Sequence, residues 1–297
     1  MKTTSQKTIG ILLVLTAGAF WGSMGLFVRA LSSYGFTSLQ ITCMRMIPAA
    51  LIFSLVHLCI KPRAFFIRIK DIPLFIGLGL GSVLFFTCCY FTAISLMSIS
   101  TAAVLLYTAP IWVAILSFFV FKERFTPLKI AALVLSFIGC VLVSGPDGQV
   151  TFFGFLAGLG AGVGYALYSI LGGVALRRYS PITVTSFAFL IASAGAACIC
   201  QPADMIGKIS ASPSLVSLIG LVFLTGLVTA VIPYLCYTAG LQRIPAGQAS
   251  ILATVEPLVA TVLGMLFLHE PLTLFAACGI TCIVVAIVLL NIKKETQ

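Results

Sequence analysis

Ten runs of about 20 apolar residues follow one another along the chain, at 9–30, 38–60, 72–92, 98–121, 127–144, 152–176, 181–200, 214–239, 246–268 and 272–292. A run of that length is what a helix needs to cross the hydrocarbon of a bilayer. Backbone N–H and C=O groups find no water there, so each run must satisfy its own hydrogen bonds as a helix. What is left over makes nine short connections and two tails, with no room for a soluble domain. Composition agrees: 61% of residues are hydrophobic and 8% charged, where a soluble domain carries about 25% charged residues. A soluble enzyme, a disordered chain and a secreted disulfide scaffold are excluded. The ten cysteines sit almost entirely inside apolar runs, where cysteine behaves as a small hydrophobe. No C-x-x-C pair exists, so neither a metal site nor a disulfide framework is expected. The short polar start, Met1 to Thr8, leads into a first span rather than a cleaved signal. The lipid bilayer is the implied surrounding.

A net charge of +10 would point to nucleic acid in a soluble protein, but here the bases are scattered through the connections. With a cytoplasmic amino terminus, the inside segments hold Lys2, Lys7, Lys61, Arg63, Arg68, Lys70, Lys122, Arg124, Lys129, Arg177, Arg178, Arg243, Lys293 and Lys294. The outside segments hold only Arg29 and Lys208. Positive charge accumulates on cytoplasmic loops. A multi-pass protein of the cell membrane with both termini cytoplasmic is expected, and no nucleic-acid partner.

The chain also matches itself at an offset of 147 residues: Gly79-Leu80 falls on Gly226-Leu227, Cys89-Tyr90 on Cys236-Tyr237, and Ala102 on Ala249. Leu105, Pro110, Leu116, Glu123 and Thr126 fall on Leu252, Pro257, Leu263, Glu270 and Thr273. A proline and a glutamate thirteen apart thus recur in both halves. The register pairs span 3 with 8, 4 with 9 and 5 with 10, which predicts two five-helix repeats, 1–147 and 148–297. Five is odd, so the second repeat enters from the opposite face and the two are inverted. Inverted repeats are a recurrent architecture for alternating access, with the substrate between the halves. The expected fold is therefore all-α integral membrane: ten transmembrane helices, as two inverted five-helix repeats around a central cavity.

These residues resemble the drug/metabolite transporter superfamily, in particular its EamA-type ten-helix members, over almost the whole chain. The marks are Phe20-Trp21-Gly22-Ser23, Arg45, Pro110 with Lys122-Glu123-Arg124, Tyr165-Ala166, Glu256-Pro257 and His269-Glu270. The resemblance implies a carrier of small metabolites, amino acids or drugs, often an exporter, with a cavity lined by spans 1, 3, 4, 6, 8 and 9. One departure stands out: Ala109-Pro110 occupies the place where the second half has Glu256-Pro257.

Glu256 lies about ten residues into a span, where a charge costs at least about 2.5 kcal/mol. It reads either as a cavity carboxylate, for a substrate amine or a coupling proton, or as a group bonded to a carbonyl freed by Pro257. Arg45 is the other charge inside a span, able to clamp a carboxylate, to snorkel outward or to pair with Glu270. A structural role is favoured for it. Glu123 and Glu270 end matching spans on opposite faces, as helix-end ion pairs or gates. His57 and His269, near span ends, read as solvated polar residues. Trp21, Tyr90, Tyr107, Tyr165, Tyr168 and Tyr237, with Gln248 and Thr254, are candidate cavity groups, since tyrosine and tryptophan offer an apolar face and a donor. Interfacial belts and helix packing are the competing reading. Glycines at four-residue spacing, such as Gly154, Gly158 and Gly162, are expected to let helices approach closely.

No Walker motif is present, so secondary transport driven by an ion gradient or exchange is the favoured reading, with a monomer or homodimer and no cofactor. A non-transporting receptor or scaffold and an intramembrane enzyme stay as alternatives. The enzyme would need a nucleophile–base pair or metal site, and no catalytic residue is assigned.

Overall fold

The computed structural model describes residues 4–60, 66–124, 126–145, 150–269 and 271–291, all of it helix and connecting turns. Among them nine helices are long and apolar enough to cross a membrane. In chain order these are α1 (Ser5–Ser32), α2 (Ser38–Cys59), α3 (Ile69–Leu96), α4 (Ile99–Phe121), α5 (Pro127–Ser144), α6 (Phe152–Ala175), α7 (Pro181–Ile199), α8 (Leu215–Leu241) and α9 (Ala246–Phe267). A tenth apolar helix, α10 (Leu274–Leu290), is shorter. An amphipathic helix, Pro202–Ser210, links α7 to α8. The ten spans read from hydropathy are all present.

Five spans are interrupted: α1 at Ser23, and four others whose interruptions repeat. Pro110 and Pro257 have no N–H and crowd the carbonyl four residues back. Accordingly α4 breaks between Leu106 and Ala109, and α9 between Leu252 and Val255. The carbonyl of Ala253, deprived of its usual partner by Pro257, accepts instead from the Glu256 N–H at 3.1 Å. A π-helical stretch in α3 ends at Leu84 and one in α8 ends at Val231, again 147 positions apart. Lys122 closes α4 with φ 55° and His269 closes α9 with φ 54°, left-handed residues at the same register. The backbone therefore carries the repeat where side chains have diverged.

Packing carries it too. α1 lies against α8 and α9, as α6 lies against α3 and α4. A Cβ at Gly10 of α1 would come within 2.8 Å of Arg243 and 2.9 Å of Ile244. One at Gly154 of α6 would come within 2.7 Å of Met97 and 3.2 Å of Leu96. Residues 243 and 244 are the repeat mates of 96 and 97, so one close approach is built twice, once at each face. Gly18 against Val255 and Gly162 against Thr108 form a second such pair. Two three-helix bodies result: α1 with α8 and α9, and α6 with α3 and α4. Each mixes helices from both sequence halves.

Two further helix pairs flank these bodies. α5 meets α10 where Gly139 and Gly279 face each other; a Cβ on either would strike the other's carbonyl oxygen at 2.8 and 2.6 Å. α2 meets α7 through Phe53 and Phe189, 5.2 Å between ring centroids, and through Ser186 Oγ donating to the Phe53 carbonyl at 3.2 Å. His57 is fully buried at this contact, 3.4 Å from Thr183 Oγ1. The expectation of a solvated histidine is thus corrected: the α7 surface covers the end of α2. Polar clasps tie the start of α3 to the connection after α6, and α2 to the amphipathic helix, one at each face. On the face of the amino terminus, Arg178 Nη1 donates to Asp71 Oδ1 at 3.0 Å and Tyr179 OH donates to Asp71 Oδ2 at 2.6 Å. On the far face, Gln40 Nε2 donates to Asp204 Oδ2 at 2.6 Å and Lys208 Nζ lies 2.7 Å from the same oxygen. Those bonds from Lys208 and Gln40 hold the Asp204 carboxyl below its usual range.

Candidate functional site

Where the two three-helix bodies face each other they leave a cavity of about 660 Å³, its open mouth included. The breaks described above build it. α1 contributes Trp21 and Met24 on either side of its interruption at Ser23, α4 contributes Leu106, Tyr107 and Pro110, and α9 contributes Ser250, Thr254 and Glu256. A helix that loses its i→i−4 ladder at a proline exposes backbone and turns its side chains, and at membrane depth that is tolerated only beside a cavity or within protein. α3 adds Phe86 and Tyr90, α6 adds Tyr165, α8 adds Tyr234, and α2 adds Arg45. A narrower recess behind Trp21 and Tyr165 is lined by Ser82, Tyr168 and Tyr237.

The two charges that hydropathy left inside spans meet here. Arg45 is 6% exposed. Its Nη1 lies 2.7 Å from the Met24 sulfur, and its Nε is buried without a hydrogen-bond partner among the described residues. Arg45 does not snorkel outward; it lines the cavity. The Arg45–Glu270 pair cannot be placed, because Glu270 lies outside the described residues. Glu256 lines the same cavity, within electrostatic reach of Arg45. No direct ion pair joins them among the described residues. A weakly partnered guanidinium and a carboxylate, held apart by protein, present opposite charges to whatever enters. An isolated charge in such a place is costly, so each is more stable with a complementary group against it. The guanidinium fork accepts a carboxylate bidentately, and the Glu256 carboxylate accepts an ammonium.

The aromatic candidates divide. Trp21 is a hub, with ring centroids of Tyr234, Tyr237 and Tyr165 at 5.3, 5.4 and 6.0 Å. Tyr90, Tyr107 and Tyr165 line the cavity directly. Tyr168 and Tyr237 stand in the recess with their hydroxyls engaged, to Thr238 Oγ1 and Ser169 Oγ at 2.8 Å each. Gln248 is half-buried on α9 and is not a lining residue; the break at Ala253 and Thr254 separates its turn from that of Glu256. Sequence reasoning missed Tyr234, which touches both chambers. Its signal was present: it lies one helical turn before Tyr237, on the same face of α8. Glu123 stands away from the cavity, where its Oε1 accepts the Ala246 N–H at 3.1 Å.

Known proteins share this fold. A solved crystal structure of a protein 20% identical superposes with a TM-score of 0.79 over 94% of this chain and 95% of its own, which shows a common fold. An uncharacterized transporter of Archaeoglobus fulgidus is 28% identical over 96% of this chain and 99% of its own. A second from that organism is 30% identical over 90% of each. The threonine/homoserine exporter RhtA of Escherichia coli K12 is 30% identical over 80% of this chain and 78% of its own. The EamA-like transporter family model matches residues 8–145 and again 152–292, one copy for each set of five helices around the cavity, and the chain belongs to that family.

Proposed function

We propose that this transporter is a secondary exporter of a small zwitterionic metabolite, an amino acid or a close derivative, working by alternating access in the cell membrane with both termini cytoplasmic. The observation that carries the reading is the pairing of Arg45 and Glu256 across one cavity without a direct bond between them. A zwitterion supplies both missing partners: its carboxylate meets the guanidinium and its ammonium meets the carboxylate. Trp21, Tyr90, Tyr107, Tyr165 and Tyr234 would surround its body with apolar faces. The printed function of the RhtA relative, threonine and homoserine export, agrees with that chemistry. Without substrate, a proton on Glu256 would lower the cost of the empty cavity, so coupling to protons or exchange is part of the proposal.

Counterflow in proteoliposomes tests it. Liposomes loaded with unlabelled amino acids, screened one at a time, should accumulate the matching labelled solute. Arg45→Gln and Glu256→Gln should each lower the rate at least about tenfold, the scale of one lost charge-assisted hydrogen bond, at unchanged protein abundance. Unaltered flux and pH profile in Glu256→Gln would overturn the assignment.

A further inference from the structure

We propose that Glu123 is a positioning residue of the transport cycle, a latch that closes the face of the amino terminus by capping α9 from the opposite body. The proposal rests on the transporter reading above and adds to it a residue that touches no substrate.

The reasoning starts from the repeat. A contact made twice, once on each face, is present whichever way the cavity opens; Gly10 with Arg243 and Gly154 with Leu96 are of that kind. A contact made at one face only, between repeat-related elements, reports the state. Glu123 with Ala246 is read as such a contact because the starts of α9 and α4 are unequally covered at the two faces; Glu270, the mate of Glu123, lies outside the described residues. It joins the end of α4 to the start of α9, across the gap between the two bodies. The mates of these residues are Glu270 and Ile99. Ala246 is 6% exposed, whereas Ile99 is 66% exposed. The start of α9 is covered at its face, and the start of α4 is uncovered at the other.

The capping residues explain why Glu123 is needed. α4 begins after Ser98, whose hydroxyl accepts the Thr101 N–H at 3.1 Å, so α4 caps itself. At the mate position α9 has Pro245, which brings no side-chain acceptor. The first amides of α9 are buried all the same, and a buried N–H needs a partner. The Glu123 carboxylate provides it, and its negative charge suits a helix amino terminus. Its second oxygen is buried and unpartnered among the described residues. The cap of α9 is therefore located in the other body, and separating the bodies must uncap the helix. Opening at this face thus carries a cost that opening at the far face does not. α9 also carries Ser250, Thr254 and Glu256 into the cavity, so releasing its first turn moves the groups that face the substrate.

Hydrogen exchange of the intact protein in nanodiscs, without substrate, tests the latch. In Glu123→Ala, amides at 246–252 should exchange on the order of tenfold faster, the scale of one lost charge-assisted bond. Amides at 99–106 should exchange more slowly, as the population moves toward the state closed at the far face. Glu123→Gln, which keeps an acceptor, should lie between this variant and the wild type. Glu123→Ala with Pro245→Ser gives α9 a cap of its own. It should recover thermal stability yet keep slowed exchange at 99–106. Faster exchange at both ends, or wild-type exchange at 99–106 in the double variant, would reduce Glu123 to an ordinary helix cap and overturn the proposal. Because no substrate is present, the outcome is independent of whether counterflow finds one.

Discussion

At the residue scale, the site is a problem of polar groups without water. In the recess beside the cavity the hydroxyls of Tyr168 and Tyr237 have found partners, and the cost of removing one can be stated. Tyr237 is 1% exposed and its hydroxyl meets Ser169 Oγ at 2.8 Å. Tyr237→Phe keeps the ring against Trp21 and should cost about 1 kcal/mol, lowering the melting temperature in detergent by about 2–4 °C. A fall of about 10 °C would mean that the hydroxyl organises more than Ser169. Arg45 and Glu256 differ in kind: no direct bond joins these two charges across the cavity among the described residues, which is why they are proposed to meet a ligand and Tyr237 to belong to the frame.

At the element scale, helix approach decides which positions tolerate a methyl group. α5 and α10 touch through backbone at Gly139 and Gly279, so Gly139→Ala must push the helices apart. Overpacking of this kind costs typically about 1–3 kcal/mol, and the melting temperature of the purified protein should fall. Gly25→Ala, at a helical glycine with nothing within 4 Å, should leave it unchanged or raise it slightly, since alanine is the better helix former. Equal effects at the two positions would show that α5 and α10 are not in backbone contact. The small-residue spacing was legible in the sequence, but which helix each stripe meets was not. Gly154 and Gly158 lie in one stripe, yet one faces Met97 in the turn after α3 and the other Leu105 on α4.

At the scale of the whole molecule, the distribution of bases sets orientation. Arg177 lies in the connection after α6, and Ala211 follows the amphipathic helix on the opposite face. With both termini cytoplasmic, Ala211→Cys should react with an impermeant maleimide in intact cells, and Arg177→Cys only after permeabilisation, each compared with the wild-type chain. The reverse pattern would invert the proposed topology and place the Glu123 latch at the outer mouth. The proposed alternation rests on the two bodies, each of which takes helices from both halves.

The number of spans, their order, the inverted repeat and the two charges deep within spans were all legible in the sequence. They depend on local quantities: apolar length, the missing N–H of proline, and the cost of charge in hydrocarbon. Glu256 was found because a lone carboxylate in a span has few benign explanations. The placement of Arg45 and His57 was not legible, because an arginine in a span can reach water or a cavity with equal ease and only its neighbours decide. Tyr234 was lost among eight tyrosines for the same reason. The Glu123–Ala246 bond spans 123 residues, and no local property of either residue announces it. The sequence alone determined what each helix is made of and how the halves are related; the tertiary structure decided which side chains share the cavity, because that depends on how long-range packing rotates each helix.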